Sequence, residues 1–190
     1  MLYKQIYHSP LGPMSLMASD KGLRGAWFEG QKYFERGLNE KAILASHPIL
    51  DQTARLLDQY FSGDQVGFSN LPLEAVGTNF QEHVWQLLKT IPIGQTTTYG
   101  QLAQQLGLRS GQAVGGAVGR NPYSIIVPCH RVLNQKGQLT GYAGGLDKKI
   151  WLLRHENPEF EVKDDFILRV SKMFDLPSSK GGAEEFGIGI

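Results

Sequence analysis

Cysteine is almost missing from this chain: Cys129 is the only one in 190 residues. A single cysteine closes no internal disulfide. The five scattered histidines, His8, His47, His83, His130 and His155, do not complete a four-ligand zinc spacing with it. No metal and no cofactor are expected. Long apolar runs are lacking as well. Nothing approaches the roughly 20 residues of a membrane-spanning helix, and Met1-Leu2-Tyr3-Lys4-Gln5 is not followed by the apolar core of a secretory leader. An unpaired thiol with neither leader nor span points to a reducing cytoplasm and no membrane partner.

An excess of charge is missing too, with a net of only +1, but the balance is uneven along the chain. Residues 1–77 carry −1, residues 78–157 carry +5 and residues 158–190 carry −3. The middle segment, which holds Cys129, is therefore basic and suits a polyanionic partner. A chance excess on a solvated surface is the plainer alternative. The hydrophobic share of 41% and charged share of 19% are those of an ordinary globular protein.

What is present divides into three parts. Residues 1–77 read as a small α/β unit: strands at 2–8, 14–18 and 23–28, then an ambiguous 30–44 with a loop and a short helix. A helix follows from Pro48 on the stripe Ile49, Leu50, Ala54, Leu57, Tyr60 and Phe61, ended by Gly63, and another strand is expected between Val66 and Val76. Residues 78–157 are mainly helical. Thr78 opens a helix whose apolar face is Phe80, Val84, Leu87, Leu88 and Ile91. Tyr99 to Leu106 forms a second helix and Gln112 to Arg120 a third, with Tyr123–Val127 a short strand before Cys129. A last helix spans 147–156, with Ile150, Trp151 and Leu153 inward. Residues 158–190 form an acidic tail in which Phe160, Val162, Phe166, Ile167, Val170 and Phe174 fit one amphipathic helix, followed after Pro177 by a linker-like stretch.

Cys129 lies in Val127-Pro128-Cys129-His130-Arg131-Val132. The reactive form of cysteine is the thiolate, which an ordinary thiol of pKa about 8.5 seldom adopts at neutral pH. His130 is the side-chain type that exchanges protons in that range. Neighbouring residues of an extended strand point to opposite faces, so a water or a turn at Pro128 is needed to link them. A buried cysteine serving only as a small hydrophobe is the competing view.

The helices from Tyr99 and Gln112, joined by a glycine-containing turn, resemble a helix-turn-helix. The second of them reads Ala113-Val114-Gly115-Gly116-Ala117-Val118-Gly119. Each interior glycine costs about 1 kcal/mol against alanine. Close approach of another surface, either a packed helix or a rigid nucleic-acid groove, would offset that. So smooth a face reads few base edges, which implies backbone and shape recognition with little sequence specificity.

These stretches, with Asn121-Pro122 before the cysteine and Gly141-Tyr142-Ala143-Gly144-Gly145 and Trp151-Leu152-Leu153-Arg154-His155-Glu156 after it, resemble the O6-alkylguanine-DNA alkyltransferases, or methylated-DNA–protein-cysteine methyltransferases. The resemblance implies an α/β N-terminal domain that is ribonuclease-H-like, followed by a mainly α, helix-turn-helix (winged-helix-like) C-terminal domain. It implies a monomer that binds the minor groove of double-stranded DNA containing O6-alkylguanine, flips the damaged nucleotide, and moves its alkyl group irreversibly to Cys129. O4-alkylthymine is a further candidate substrate. By resemblance, His130 takes the thiol proton through a water and Glu156 orients the imidazole. Asn121 links the recognition helix to the active-site turn, and Tyr99 donates to the leaving base. Val132, Tyr142, Ala143, Gly144 and Lys149 surround the flipped base. Arg109, Gln112, Ala113, Gly115, Gly116, Ala117, Arg120 and Arg131 fall on the DNA side. The family places an arginine where this chain has Gln112, which lacks charge and a stacking guanidinium plane.

Three other readings compete. A binding-only relative would lack the cysteine, a cysteine hydrolase would turn over repeatedly, and a redox sensor would need a resolving cysteine that this chain does not have.

Overall fold

The computed structural model describes residues 1–38 and 40–163. Its first element is a four-stranded sheet. β1 (Leu2–Ser9), β2 (Gly12–Ser19) and β3 (Gly22–Phe28) make an antiparallel meander, and β4 (Ala42–Leu44) pairs parallel to β1, in the order β3-β2-β1-β4. Gly12, at φ +104, supplies the left-handed backbone that the β1–β2 turn requires. Met14, Leu16 and Ala18 alternate along β2 and pack with Leu50, Leu57 and Tyr60 of α1 (Pro48–Phe61). That helix starts with Pro48 in its first turn, and the His47 ring accepts from the Ile49 amide.

The second part opens with α2 (Asn79–Leu88), whose start is a complete capping box between Thr78 and Gln81. β5 (Thr97–Thr98) leads directly into α3 (Tyr99–Gln105), with Thr98 and Gln101 forming a second box. α4 (Gln112–Gly119) follows, then a single 3₁₀ turn at Cys129–Arg131, β6 (Val132–Leu133) parallel to β5, and α5 (Leu146–Glu156). One hydrophobic core runs through both parts, joining Leu16, Phe28 and Leu57 to Val84, Val114, Val127 and Leu152. β3 is stitched to the segment before Cys129 by Ala26 N to Pro122 O and Ser124 N to Ala26 O. No helix among the described residues is long and apolar enough to cross a membrane.

Several expected elements differ. Among the described residues of 30–44 there is no helix. Gly30, Tyr33, Glu35 and Gly37 all have positive φ, so the chain runs through successive turns before β4. Residues 66–76 form no strand. Pro72 has no amide proton, and only Leu73 bridges to Leu23 of β3. Residues 123–127 are not a strand either: Ile125 sits at φ +72 and the Val127 amide folds back to Tyr123 O, leaving a single bridge from Tyr123 to Ala26. On α2 Phe80, expected on the apolar face, is exposed, whereas Trp85 is buried with its indole donating to Ala117 O. On α5 it is Leu152, not Trp151, that is fully buried. Phe160 and Val162 pack, without helical backbone, against the cluster of Leu133, Leu139, Ile150 and Leu153. The rest of the expected tail helix, from Phe166 to Phe174, and the stretch after Pro177 lie outside the described residues.

Candidate active site

The cysteine does not sit on an extended strand. Pro128 (φ −81, ψ 64) starts a turn in which the Arg131 amide donates to Pro128 O, so Cys129 and His130 leave one tight 3₁₀ turn. Asn121, buried just past α4, braces the approach to that turn: its amide donates to Val127 O at 2.8 Å and its oxygen accepts from Tyr123 N at 3.0 Å.

His130 is fully buried, and its Nε2 lies 2.6 Å from Glu156 Oε1 at the end of α5. A carboxylate can only accept there, so Nε2 carries the proton and Nδ1 presents the lone pair. Nδ1 is buried and has no hydrogen-bond partner among the described residues. Glu156 is held from every side. Arg131 Nε donates to Oε2 and Arg131 Nη2 to Oε1, both at 2.8 Å, and Tyr60 Oη donates to Oε1 at 2.9 Å. Burial works against the Glu156 charge, but His130 and Arg131 outweigh it and keep the carboxyl well below the usual carboxylate range. Burial also lowers the proton affinity of His130, although Glu156 opposes it, and raises that of the Cys129 thiol, although Asn121 and Lys149 pull the other way. Both shifts favour the neutral thiol and the neutral imidazole at rest.

Lys149, on α5, is also fully buried. Its ammonium donates to Val132 O (2.7 Å), Gly141 O (3.1 Å) and Thr140 O (3.3 Å), so all three protons are used. Burial brings its pKa down to about 8, with Cys129 acting in the opposite sense. The lysine thereby ties the 140–145 loop to the strand leaving the cysteine turn.

Cys129 opens on a cavity of about 380 Å³, within the usual size of small-molecule sites. It is lined by Tyr99, Gly141, Tyr142 and Ala143, by Gly115, Gly116, Val118 and Gly119 of α4, and by Lys32, Tyr33 and Arg120. The α4 glycines are not explained by internal packing. A Cβ on Gly119 would meet nothing within 4 Å, and one on Gly115 would make only ordinary contact with Tyr99 at 3.8 Å. Gly111, at the head of α4, is the packed one, where a Cβ would come within 2.9 Å of Tyr99 Cβ. The bare face is turned outward, beside the cavity.

The residues singled out in the sequence sort as follows. Cys129, His130, Glu156, Asn121, Tyr99, Val132, Lys149 and the Tyr142–Gly144 loop are brought together. Gln112, Ala113 and Arg109 are exposed at or just before the start of α4, and Arg120 folds from its end over the Tyr33 ring. Two do not lie with the DNA-side group. Ala117 is buried against Trp85, and Arg131 turns inward to Glu156 and to Ile91 O at 2.7 Å, because a buried carboxylate demands a fixed cation. Sequence reading missed the part played by Tyr60, which is an apolar-stripe residue by spacing alone, and by Lys32 and Tyr33, whose turn reaches the loop through Lys32 N to Ala143 O.

Comparison with known proteins agrees with this geometry. Residues 79–158 match the family model of the 6-O-methylguanine DNA methyltransferase DNA binding domain, and residues 2–75 match that family's ribonuclease-like domain. The methylated-DNA–protein-cysteine methyltransferase of Methanosarcina acetivorans is 41% identical over 157 residues, covering 82% of this chain and 98% of the relative. That of Shigella flexneri is 44% identical over 162 residues, covering 78% and 91%. Among solved structures, Mycobacterium tuberculosis OGT in complex with DNA superposes with a TM-score of 0.73 at 35% identity, covering 88% of this chain and 99% of the other.

Proposed function

The chain belongs to the O6-methylguanine DNA methyltransferase family, and we infer from that premise that it repairs DNA as a methylated-DNA–protein-cysteine methyltransferase, with Cys129 as the acceptor of the alkyl group of O6-alkylguanine. One observation carries the choice of acceptor. The chain's only cysteine sits in the wall of a cavity that a bare glycine helix also lines, next in sequence to the buried His130 that is paired with Glu156.

The partner is DNA. The outward face of α4 around Gly115, Gly116 and Gly119 suits close approach to a minor groove, with Gln112, Ala113, Arg109 and Arg120 at its two ends. Ala117 and Arg131 have no part in that surface. An everted guanine reaches the cavity between Tyr99 and the Tyr142–Gly144 loop, at an unstacking cost of about a few kcal/mol. There the sulfur attacks the alkyl carbon, forming the C–S bond as the C–O6 bond breaks. The thiol proton passes to His130 Nδ1 through a water, and the imidazolium so formed is stabilised by Glu156. Guanine leaves with the bond's electron pair, and the Tyr99 hydroxyl supplies the hydrogen bond that takes up its charge. The product is a thioether, which none of the neighbouring groups can cleave, so each molecule reacts once.

The thiol must stay reduced to react, which suits the cytoplasm. The first part, residues 1–77, contributes Lys32 and Tyr33 to the cavity lining, and residues 78–157 the chemistry. The test is intact mass after incubation with a duplex containing O6-methylguanine. The expected result is a gain of one methylene on the Cys129 peptide, absent in Cys129→Ala. An unchanged mass, or a gain elsewhere, overturns the assignment.

A further inference from the structure

Most of the machinery around Cys129 comes from residues after 78, yet one hydrogen bond reaches it from α1. Tyr60 is 1% exposed, and its hydroxyl donates to Glu156 Oε1, the same oxygen that accepts from His130 Nε2. The Tyr60 carbonyl accepts from His155 Nε2 at 2.6 Å. One residue of α1 thus holds two consecutive residues at the end of α5, by side chain and by main chain. The His155 ring is stacked on Trp151 and lies against Tyr60 itself, so the grip is backed by packing.

We propose that Tyr60 is a positioning residue for alkyl transfer, through which the N-terminal part of the chain sets the orientation and charge density of the carboxylate that serves His130. The proposal rests on the acceptor role given above to Cys129. A carboxylate oxygen shared among an imidazole, a guanidinium and a phenol offers each less charge than it would offer fewer donors. Without the phenol, the Arg131 fork still keeps Glu156 at His130 Nε2, but one positioning contact is gone and Oε1 presents the imidazole with a more concentrated negative charge. The looser positioning slows transfer. The more concentrated charge raises the proton affinity of His130, so the neutral base is lost at a higher pH. The other charged or titratable groups facing this pair are Arg131 on the same turn, Lys149 on α5, Tyr142 on the loop and Cys129 itself. None of them replaces the phenol at Oε1 from the α1 side.

Tyr60→Phe is the test, because the ring and its contacts with Phe61, Phe68 and His155 are retained. Single-turnover transfer at saturating alkylated duplex is expected to slow about tenfold, the usual scale for one hydrogen bond to a charged group. Duplex Kd should stay within about twofold, because Tyr60 touches no DNA-facing residue. The acid limb of the rate–pH profile should move to higher pH. An unchanged rate overturns the proposal. So does a slower rate with an unmoved acid limb, which would make Tyr60 a packing residue only. Native protein measured in parallel separates the two claims: its mass gain reports on Cys129 as acceptor, and the ratio of variant to native rate reports on Tyr60. Native protein that gains no mass overturns both.

Discussion

Asn121 donates to the carbonyl of Val127 at 2.8 Å, and by that bond the end of the glycine helix is fastened to the turn that carries Cys129. The same side chain satisfies the Tyr123 amide. Asn121→Ala leaves the Tyr123 amide buried without its partner, whereas Val127 O keeps the Cys129 amide at 2.8 Å. Urea unfolding should show a loss of about 1–3 kcal/mol, and transfer should slow because the approach to the cysteine turn is no longer braced. Unchanged stability would mean that the turn holds its shape without the asparagine.

Acid should destabilise the folded protein in two stages. His130 has a folded-state proton affinity below its ordinary value of 6.5, so the unfolded chain binds its proton first and stability falls as pH drops past that value. Glu156 is likewise held below its ordinary 4.5, so its contribution is whole above that pH and is lost as pH falls toward its folded value. Both act in one direction. Denaturant midpoints measured from pH 8 to pH 3.5 at constant salt should decline through both ranges. A flat profile would contradict the buried pairing.

The glycines of α4 give opposite expectations for folding and for binding. Gly115→Ala meets only ordinary contact with Tyr99, so helix propensity should raise stability by about 0.5–1 kcal/mol. On the DNA side the added methyl holds the groove away, and a clash of about 1 kcal/mol weakens duplex binding about fivefold. Thermal melting and duplex titration read the two effects separately. A variant that is more stable and binds equally well would remove α4 as the docking face.

Much of this site was legible in the chain because its signals are local. The Thr78–Gln81 capping box, the glycine spacing of 115–119 and the proline before Cys129 each act within a few residues. The failures came where a distant partner decides. Phe80 is exposed although spacing puts it on the apolar face of α2, and Trp85 is buried because its indole finds Ala117 O, 32 residues away. Arg131 faces inward because Glu156, 25 residues on, needs a cation. Residues 66–76 and 123–127 have strand-like composition, yet Pro72 and the left-handed Ile125 prevent a ladder. Tyr60 carried no signal at all, since its role depends on a carboxylate 96 residues later.

All three partners of Lys149 are main-chain oxygens. The lysine therefore senses the path of the polypeptide and is blind to the side chains along it. Val132 and Thr140 can be exchanged for other residues of similar backbone habit with the ammonium still fully seated. The tolerance does not run the other way: no other side chain delivers three converging protons from a single point. The path of the main chain behind the cavity thus rests on rigidity at one position on α5.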